Sequence, residues 1–285
     1  MTRARSPSWA ELLAQARLAL NGPSHASFEA EELLARAADR PRPWFLSRMR
    51  EEAPAEDAAR FSELVKRRQQ GEPLQYLLGE WEFLGRTFIV DRRALIPRGE
   101  TEGIVELARS AAPAARFILD AGTGSGILAV SLALERPLAR VVALDVSPEA
   151  LALTRRNALL HGVVSRVFPI ASDWLRAIRP AHGFDLVVSN PPYVPRADAP
   201  HLDKTVSDHE PAVALFGGDD GLDPLRILLR QLPGVLMRGA PFIFEFGYGQ
   251  AREVSALVES SDAFSLASIR LDAAGIPRTA TAIRK

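Results

Sequence analysis

From about Ile96 onward, short apolar runs alternate with amphipathic segments, and this alternation constrains the fold more than any other feature of the chain. The apolar runs predict strands at residues 117–120, 141–145, 167–170, 184–189 and 242–246. Helical periodicity between most of these runs predicts a mostly parallel sheet with helices on both faces. Residues 264–271 and 278–283 predict a terminal antiparallel hairpin. We therefore expect an α/β fold that binds its ligands at the carboxyl ends of the strands.

The first part of the chain, residues 1–78, has helical periodicity instead. Ser8 and Glu11 predict a capping box for a first helix, which is expected to end at residues 21–23. Ser27 is the predicted cap of a second helix, and a third is predicted over residues 56–70. Short helices with one apolar stripe each must bury those stripes against one another, so we expect a small helical bundle.

A β-hairpin is predicted between these two parts, because strand-like residues 81–83 and 87–90 flank a short loop that contains glycine. The predicted organisation is therefore a helical domain at residues 1–78, a hairpin linker at 79–97 and an α/β domain at 98–285. The connection from Val194 to about Gly221 is long for a compact domain, which favours a functional role for it.

Composition excludes several classes of function. Lys plus Arg and Asp plus Glu both number 35, which argues against broad binding to duplex nucleic acid. The absence of cysteine excludes disulfides, thiolate metal sites and a cysteine nucleophile. The sequence contains neither an apolar run long enough to span a membrane nor a signal peptide, so we expect a cytoplasmic protein with no membrane partner.

No metal site is predicted from the histidines. His201, Asp203, Asp208 and His209 lie close together in the long connection, but a solvated loop face explains them better than a metal does. Metal ligands must converge in space as well as in sequence.

A glycine-rich turn follows the first predicted strand of the α/β domain. Its sequence is Asp120-Ala121-Gly122-Thr123-Gly124-Ser125-Gly126, and Asp145 lies at the end of the next strand. The glycines let the backbone approach a ligand closely, and a carboxylate at Asp145 can bind both hydroxyls of a ribose. Asp120 repels a pyrophosphate and suits the ammonium of the methionine part of S-adenosylmethionine. The pattern therefore predicts that cofactor.

The glycine turn with Asp145 resembles motif I of the Rossmann-like methyltransferases. Asp173 and Trp174 follow the third strand, and this resemblance implies an adenine contact there. An interpretation of equal weight is that Trp174 does not contact adenine and is a half-buried aromatic residue at the start of a helix. The predicted cofactor-binding residues are Asp120, Gly122, Thr123, Gly124, Ser125, Gly126, Asp145, Asp173, Trp174 and Asn190.

The predicted acceptor site is Asn190-Pro191-Pro192-Tyr193, which follows the fourth strand. The Asn190 side-chain carbonyl and the Pro191 backbone carbonyl can converge on an NH2 group, while the prolines fix two backbone torsions. Tyr193 adds an aromatic wall. A plain turn is the alternative, but the position beside a methyl donor favours a transfer site. All four residues are therefore predicted to be catalytic and to bind substrate.

A glycine turn of this type followed by Asn-Pro-Pro-Tyr resembles the amino methyltransferases, and further stretches resemble the HemK family. Those stretches are residues 71–79, 81–83, 95–98, 100–102, 210–211, 214–215, 217–218 and 220–222, with Glu245, Gly247, Asp272, Gly275 and Arg278. One departure is Gly99, where the family usually has a proline that would stiffen the loop.

The resemblance implies a Rossmann-like, S-adenosylmethionine-dependent methyltransferase domain preceded by the helical bundle. It also implies methyl transfer to the side-chain amide nitrogen, N5, of the glutamine in the Gly-Gly-Gln motif of peptide chain release factors. The bundle would help to dock the release factor, and the protein is expected to be a monomer.

Three alternatives remain open at this point. A nucleic-acid amino methyltransferase would require a basic recognition domain, for which the neutral composition gives no support. A non-catalytic adaptor would keep the fold and bind a partner through the helical domain. A nicotinamide dehydrogenase is disfavoured by the glycine spacing and by Asp120.

Overall fold

The computed structural model describes residues 6–20, 25–180 and 183–285. The helices are α1 (Trp9–Ala19), α2 (Ala26–Ala38), α3 (Arg42–Phe45), α4 (Ala55–Gln69), α5 (Leu74–Leu78), α6 (Glu102–Ala111), α7 (Ile127–Glu135), α8 (Pro148–Leu160), α9 (Lys204–Ser207), α10 (Ala212–Leu215), α11 (Asp223–Gln231) and α12 (Ala251–Glu259). The strands are β1 (Glu80–Phe83), β2 (Arg86–Ile89), β3 (Phe117–Ala121), β4 (Arg140–Asp145), β5 (Val167–Ala171), β6 (Leu186–Ser189), β7 (Pro241–Glu245), β8 (Phe264–Leu271) and β9 (Pro277–Arg284). Short 3₁₀ helices lie at Gly99–Thr101, Arg196–His201 and Leu232–Gly234.

The chain divides into two compact units. One unit comprises residues 1–80 with 204–209, and the other comprises residues 81–203 with 210–285. Among the described residues, no helix is both long and apolar enough to cross a membrane.

The first unit is helical, and its helices pack around a core that includes Trp9, Leu33 and Phe61. At the start of α1 the backbone N–H of Glu11 donates to Ser8 Oγ at 3.3 Å, and the N–H of Ser8 donates to Glu11 Oε2 at 2.7 Å. This is the predicted capping box. The predicted end of α1 at residues 21–23 lies outside the described residues.

The predicted cap of the second helix is wrong. Helix α2 begins at Ala26, so Ser27 lies inside its first turn, and the Ser27 hydroxyl donates to Glu31 Oε1 at 3.3 Å. His25 occupies the N-cap position without a side-chain cap, and the serine bonds a side chain one turn further on. The third helix, α4, starts and ends within one residue of its predicted bounds.

The second unit contains a seven-stranded sheet in the order β5-β4-β3-β6-β7-β9-β8. Strands β3 to β7 run parallel to one another, whereas β9 is antiparallel to β7 and β8 is antiparallel to β9. The expected α/β fold with a terminal antiparallel hairpin is therefore confirmed. Strands β1 and β2 form a separate two-stranded sheet, as predicted.

Both faces of the large sheet are covered by apolar side chains. Along β3, Ile118 packs in one core cluster and Leu119 packs in the other, because neighbouring strand residues point to opposite faces. Helices α6 and α7 contribute to the first cluster, and α11 and α12 contribute to the second. Burial on both faces explains why the central strands are continuous apolar runs.

Strand β6 is shorter than predicted, since it begins at Leu186 and not at Phe184. Phe184 forms an isolated bridge with Leu236. The Asp185 carboxylate accepts the backbone N–H groups of Arg116 and Phe117, each at 2.8 Å. The Asp185 side chain therefore adds to the backbone bonding at this end of the strand, where the Asp185 N–H also donates to the Phe117 carbonyl at 2.8 Å.

The sheet order reverses beside β3. The chain passes from β3 to β4 and β5 on one side, and then crosses to β6 on the other side of β3. Ligands of open α/β sheets bind at such a reversal, outside the carboxyl ends of the strands. The turn after β3 and the segment after β6 both lie there.

Gly99 begins the 3₁₀ helix that precedes α6. A Cβ at this position would meet no atom within 4 Å, and its φ lies outside the left-handed region. The backbone at Gly99 therefore has no requirement for glycine, and proline is favoured at the first position of a helix.

Candidate active site

The glycine turn after β3 is held against the end of β4 by backbone hydrogen bonds. Gly122, Gly124 and Gly126 have φ values of 76°, 56° and 83°, which favour glycine. The N–H groups of Gly122 and Thr123 donate to the Leu144 carbonyl at 2.9 and 2.8 Å. These hydrogen bonds therefore fix the backbone conformation of the turn at the carboxyl ends of β3 and β4.

Helix α8 fixes the other side of this turn. The Thr154 hydroxyl donates to the Gly124 carbonyl at 2.9 Å, and Asn157 Nδ2 donates to the Ser125 carbonyl at 2.9 Å. A Cβ on Gly126 would lie 2.7 Å from Thr154 Cγ2 and 3.0 Å from Thr154 Cα. No residue larger than glycine fits at position 126 without a shift of the helix.

Asp120 lies beneath the turn and is fully buried. Its Oδ2 accepts the Thr123 hydroxyl at 2.6 Å and the Ala129 N–H at 3.1 Å. Its Oδ1 is buried and has no hydrogen-bond partner among the described residues. Burial raises the pKa of this carboxyl to about 7, against the hydrogen bonds that favour its ionised form.

Asp145 lies at the carboxyl end of β4 and faces the cavity beside the turn. One carboxylate oxygen accepts the Gly124 N–H at 2.8 Å, and the other accepts the Ser147 N–H at 2.9 Å. Burial raises the pKa of Asp145, in opposition to these backbone donors. The hydrogen bonds fix the orientation of the carboxylate.

Trp174 and Asp173 follow β5 and differ in their surroundings. Trp174 has a φ of 50°, which is rare for a large residue, and its ring lies 3.8 Å from where a Cβ on Gly122 would be. Asp173 pairs with the exposed Arg176 at 2.9 Å. Trp174 therefore packs beside the glycine turn, whereas the Asp173 carboxylate makes a surface ion pair.

The Asn190–Tyr193 segment is anchored to a buried acid. Asn190 Nδ2 donates to Thr101 Oγ1 at 3.0 Å, and the Thr101 hydroxyl donates to Glu245 Oε2 at 2.7 Å. The Tyr193 hydroxyl donates to Glu245 Oε1 at 3.2 Å. Burial raises the pKa of both Glu245 and Tyr193, so the phenol keeps its proton at neutral pH.

The backbone of the same segment is packed by glycines. A Cβ on Gly217 would lie 2.4 Å from the Pro192 carbonyl oxygen, and a Cβ on Gly221 would lie 2.1 Å from the Tyr193 carbonyl oxygen. Gln250 Nε2 donates to that Tyr193 carbonyl at 3.0 Å. The long connection after β6 thus returns to support the residues that precede it.

One cavity joins the two predicted halves of the site. Its walls include Gly122, Asp145, Trp174, Asn190 and Pro192. Gly124 and Asp173 also line it. The predicted site residues outside its lining are Asp120, Thr123, Ser125, Gly126, Pro191 and Tyr193.

Sequence reasoning assigned no role to Thr101, Glu245 or Gln250. The available signal was Glu245, a carboxylate that directly follows a buried apolar run at the ligand-binding edge of the sheet. Within the described ranges, no three His, Asp or Glu side chains come close enough together to hold a metal ion.

Comparison with known proteins identifies the family. Residues 11–79 match the PrmC N-terminal domain, and residues 104–205 match the methyltransferase small domain. The chain is 41% identical over 271 residues to a release factor glutamine methyltransferase of Moorella thermoacetica, covering 94% of this chain and 95% of the relative. It is 43% identical over 237 residues to the Geobacter sulfurreducens protein of the same name, covering 83% of this chain and 82% of the relative. The chain belongs to the release factor glutamine methyltransferase family.

Solved structures share the fold at low sequence identity. A methyltransferase from Pyrococcus furiosus superposes with a TM-score of 0.51 and 17% identity, covering 71% of this chain and 90% of that one. The 16S rRNA N2 G1207 methyltransferase of T. thermophilus was solved with AdoMet and guanosine. It superposes with a TM-score of 0.50 and 17% identity, covering 72% of this chain and 50% of that one. The second unit therefore has the Rossmann-like methyltransferase fold.

The close approach of Gly126 to Thr154 predicts a large cost for Gly126→Ala. Gly162 is a matched control, because its φ is also left-handed, at 68°, but a Cβ there would meet nothing within 4 Å. We expect Gly162→Ala to lower the free energy of unfolding by about 1 kcal/mol through backbone strain alone. Gly126→Ala should lose about 1–3 kcal/mol more through overpacking. Denaturant unfolding of both variants measures the difference, and equal losses would contradict the packing described for α8.

Proposed function

We propose that the protein transfers a methyl group from S-adenosylmethionine to the side-chain amide nitrogen, N5, of the glutamine in the Gly-Gly-Gln motif of peptide chain release factors, and so modulates translation termination. The observation that carries the proposal is the single cavity lined by both Asp145 and Asn190. The near full-length similarity to relatives named release factor glutamine methyltransferase supports the choice of substrate.

The residues around the glycine turn fit S-adenosylmethionine. The cofactor, when bound, supplies an electrophilic methyl group. Asp145 would hold the ribose hydroxyls, and Trp174 with Asp173 would contact the adenine. The partnerless Asp120 Oδ1 would receive the ammonium, since a buried acceptor without a donor carries a desolvation cost. Thr123, Ser125 and Gly126 would act by shaping the turn.

The acceptor half would orient the glutamine amide. An amide nitrogen is a poor nucleophile because its lone pair is delocalised into the carbonyl. Asn190 Oδ1 and the Pro191 carbonyl oxygen would each accept one N–H of the amide, and neither accepts a hydrogen bond from the described part of the chain. This pair directs the lone pair toward the methyl donor, and orientation of this kind contributes several kcal/mol to catalysis.

Pro192 and Tyr193 complete the acceptor site. Pro191 and Pro192 restrict the backbone, so the two acceptors stay in place. The Tyr193 ring would pack on the planar amide, where its face favours developing positive charge. No dedicated general base is needed, because the methylated nitrogen becomes acidic and releases a proton afterwards.

Each of the three predicted segments of the chain would have its own role. Residues 1–78 would dock the release factor, residues 79–97 would link the domains, and residues 98–285 would carry the transfer site. The match of residues 11–79 to the PrmC N-terminal domain supports a separate first domain. The balanced charge of the chain favours a protein substrate over nucleic acid, and we propose a cytoplasmic monomer.

Mass spectrometry of a release factor tests the proposed function. The purified factor is incubated with this protein and isotopically labelled S-adenosylmethionine, and the label should be located on the glutamine of Gly-Gly-Gln. A factor with asparagine in place of that glutamine serves as the control and should remain unlabelled. Label on arginine or lysine, or on added RNA or DNA alone, would overturn the assignment of the substrate.

Asp120 predicts pH-dependent binding of S-adenosylmethionine. The ionised carboxylate attracts the ammonium and the neutral acid does not, so affinity should rise as the pH increases through about 7. Between pH 5.5 and 7.5 the ionised fraction of a carboxyl with a pKa of about 7 rises from about 3% to about 76%, so we expect a gain in affinity of roughly 25-fold. Isothermal titration calorimetry measures this gain. Asp120→Asn should bind weakly at both pH values, and an unchanged pH dependence in that variant would rule out Asp120 as the titrating group.

A further inference from the structure

A chain of hydrogen bonds beneath the acceptor site runs from Asn190 through Thr101 to Glu245. Asn190 Nδ2 donates to Thr101 Oγ1 at 3.0 Å, and the Thr101 hydroxyl donates to Glu245 Oε2 at 2.7 Å. Thr101 is 1% exposed and Glu245 is 2% exposed, so bulk water does not compete for these bonds. The three side chains therefore depend on one another for partners.

The direction of each hydrogen bond follows from chemistry. A carboxylate oxygen only accepts, so the single hydroxyl hydrogen of Thr101 is directed to Glu245. The Thr101 oxygen then has only lone pairs to offer to Asn190. Because lone pairs require a donor, the NH2 group of Asn190 must face Thr101.

This direction decides which atom of Asn190 faces the cavity. An asparagine amide can turn by 180° and exchange its oxygen and NH2 group at little change in shape. With the NH2 group held by Thr101, Oδ1 is left to accept an N–H from the substrate. In the reversed orientation the NH2 group of Asn190 would face the NH2 group of the substrate glutamine, and the two groups would repel each other.

Thr101 and Glu245 both lie in regular secondary structure. Thr101 ends the 3₁₀ helix that leads into α6, and Glu245 ends β7, which pairs with β6 at Ser189 and Phe244. Glu245 also accepts the Tyr193 hydroxyl through its other oxygen. One buried carboxylate is therefore linked to both ends of the Asn190–Tyr193 segment.

We propose that Thr101 and Glu245 are positioning residues that keep Asn190 Oδ1 directed at the nitrogen to be methylated. The inference rests on the proposed function and adds two residues that do not themselves touch the substrate. It also explains why an acid is buried at the end of β7, where a carboxylate without bonding partners would be costly.

Thr101→Val and Thr101→Ser test the proposal as a matched pair. Valine keeps the shape of threonine and removes the hydroxyl, whereas serine keeps the hydroxyl and removes a methyl group. We expect kcat for methylation of the release factor to fall by about 10- to 100-fold in Thr101→Val, as small errors of orientation have effects of this size. The dissociation constant of S-adenosylmethionine should be unchanged. Thr101→Ser should recover kcat to within about 3-fold of the wild-type value.

A wild-type kcat in Thr101→Val would overturn the proposal, and so would an equal loss in Thr101→Ser, because packing would then explain the effect. Thr101→Val is judged unfolded if it no longer binds S-adenosylmethionine. In that case Glu245→Gln tests the proposal instead. A glutamine at 245 can accept the Tyr193 hydroxyl and donate its NH2 group to Thr101, which reverses the hydrogen bond to Asn190. We expect kcat to fall in that variant at unchanged affinity for S-adenosylmethionine, and a wild-type kcat would contradict the role of Glu245. Absence of methyl transfer by the wild-type protein would instead refute the proposed function itself.

Discussion

The parallel pairing of β3 with β6 is the interaction on which the site depends. Asp120 lies opposite Val188 in this register, so the turn after β3 and Asn190 after β6 emerge side by side. The Ser189 hydroxyl strengthens the junction by donating to the Ala121 carbonyl at 2.6 Å. Because the sheet order reverses here, helices of the two faces diverge and leave a cavity at this edge. The residues proposed to bind the cofactor and those proposed to bind the acceptor amide are therefore adjacent as a consequence of topology.

Buried and half-buried carboxylates then hold the loops of this edge in place. Asp120 and Asp145 bind the glycine turn, and Glu245 binds the acceptor segment through Thr101 and Tyr193. Glu210 accepts the Ile96 N–H at 3.0 Å and forms an ion pair with Arg98. A buried acid is costly unless it is hydrogen-bonded, so each acid holds its loop to one geometry. Asp120 differs from the others because one of its oxygens has no partner within the described residues.

The strands and the glycine turn were predictable from the sequence because their signals are local. The apolar run that became β3 and the three glycines after it can be read within ten residues. The Thr101–Glu245 bond joins residues 144 positions apart, and no periodicity reveals such a pair. Helices α3, α9 and α10 have four residues each, which is too short for a helical pattern to appear. The prediction that Ser27 caps the second helix was wrong, because a serine before an apolar stripe is a cap only when its hydroxyl bonds the backbone.

Asn190 is proposed to orient the acceptor amide while other residues hold the cofactor. Single-turnover methylation of a release factor by Asn190→Ala tests this proposal most directly, with the affinity for S-adenosylmethionine measured on the same preparation. We expect the variant to bind S-adenosylmethionine within about 10-fold of the wild-type affinity and to transfer methyl groups at least about 100-fold more slowly. A variant that binds the cofactor and methylates the glutamine at the wild-type rate would contradict it.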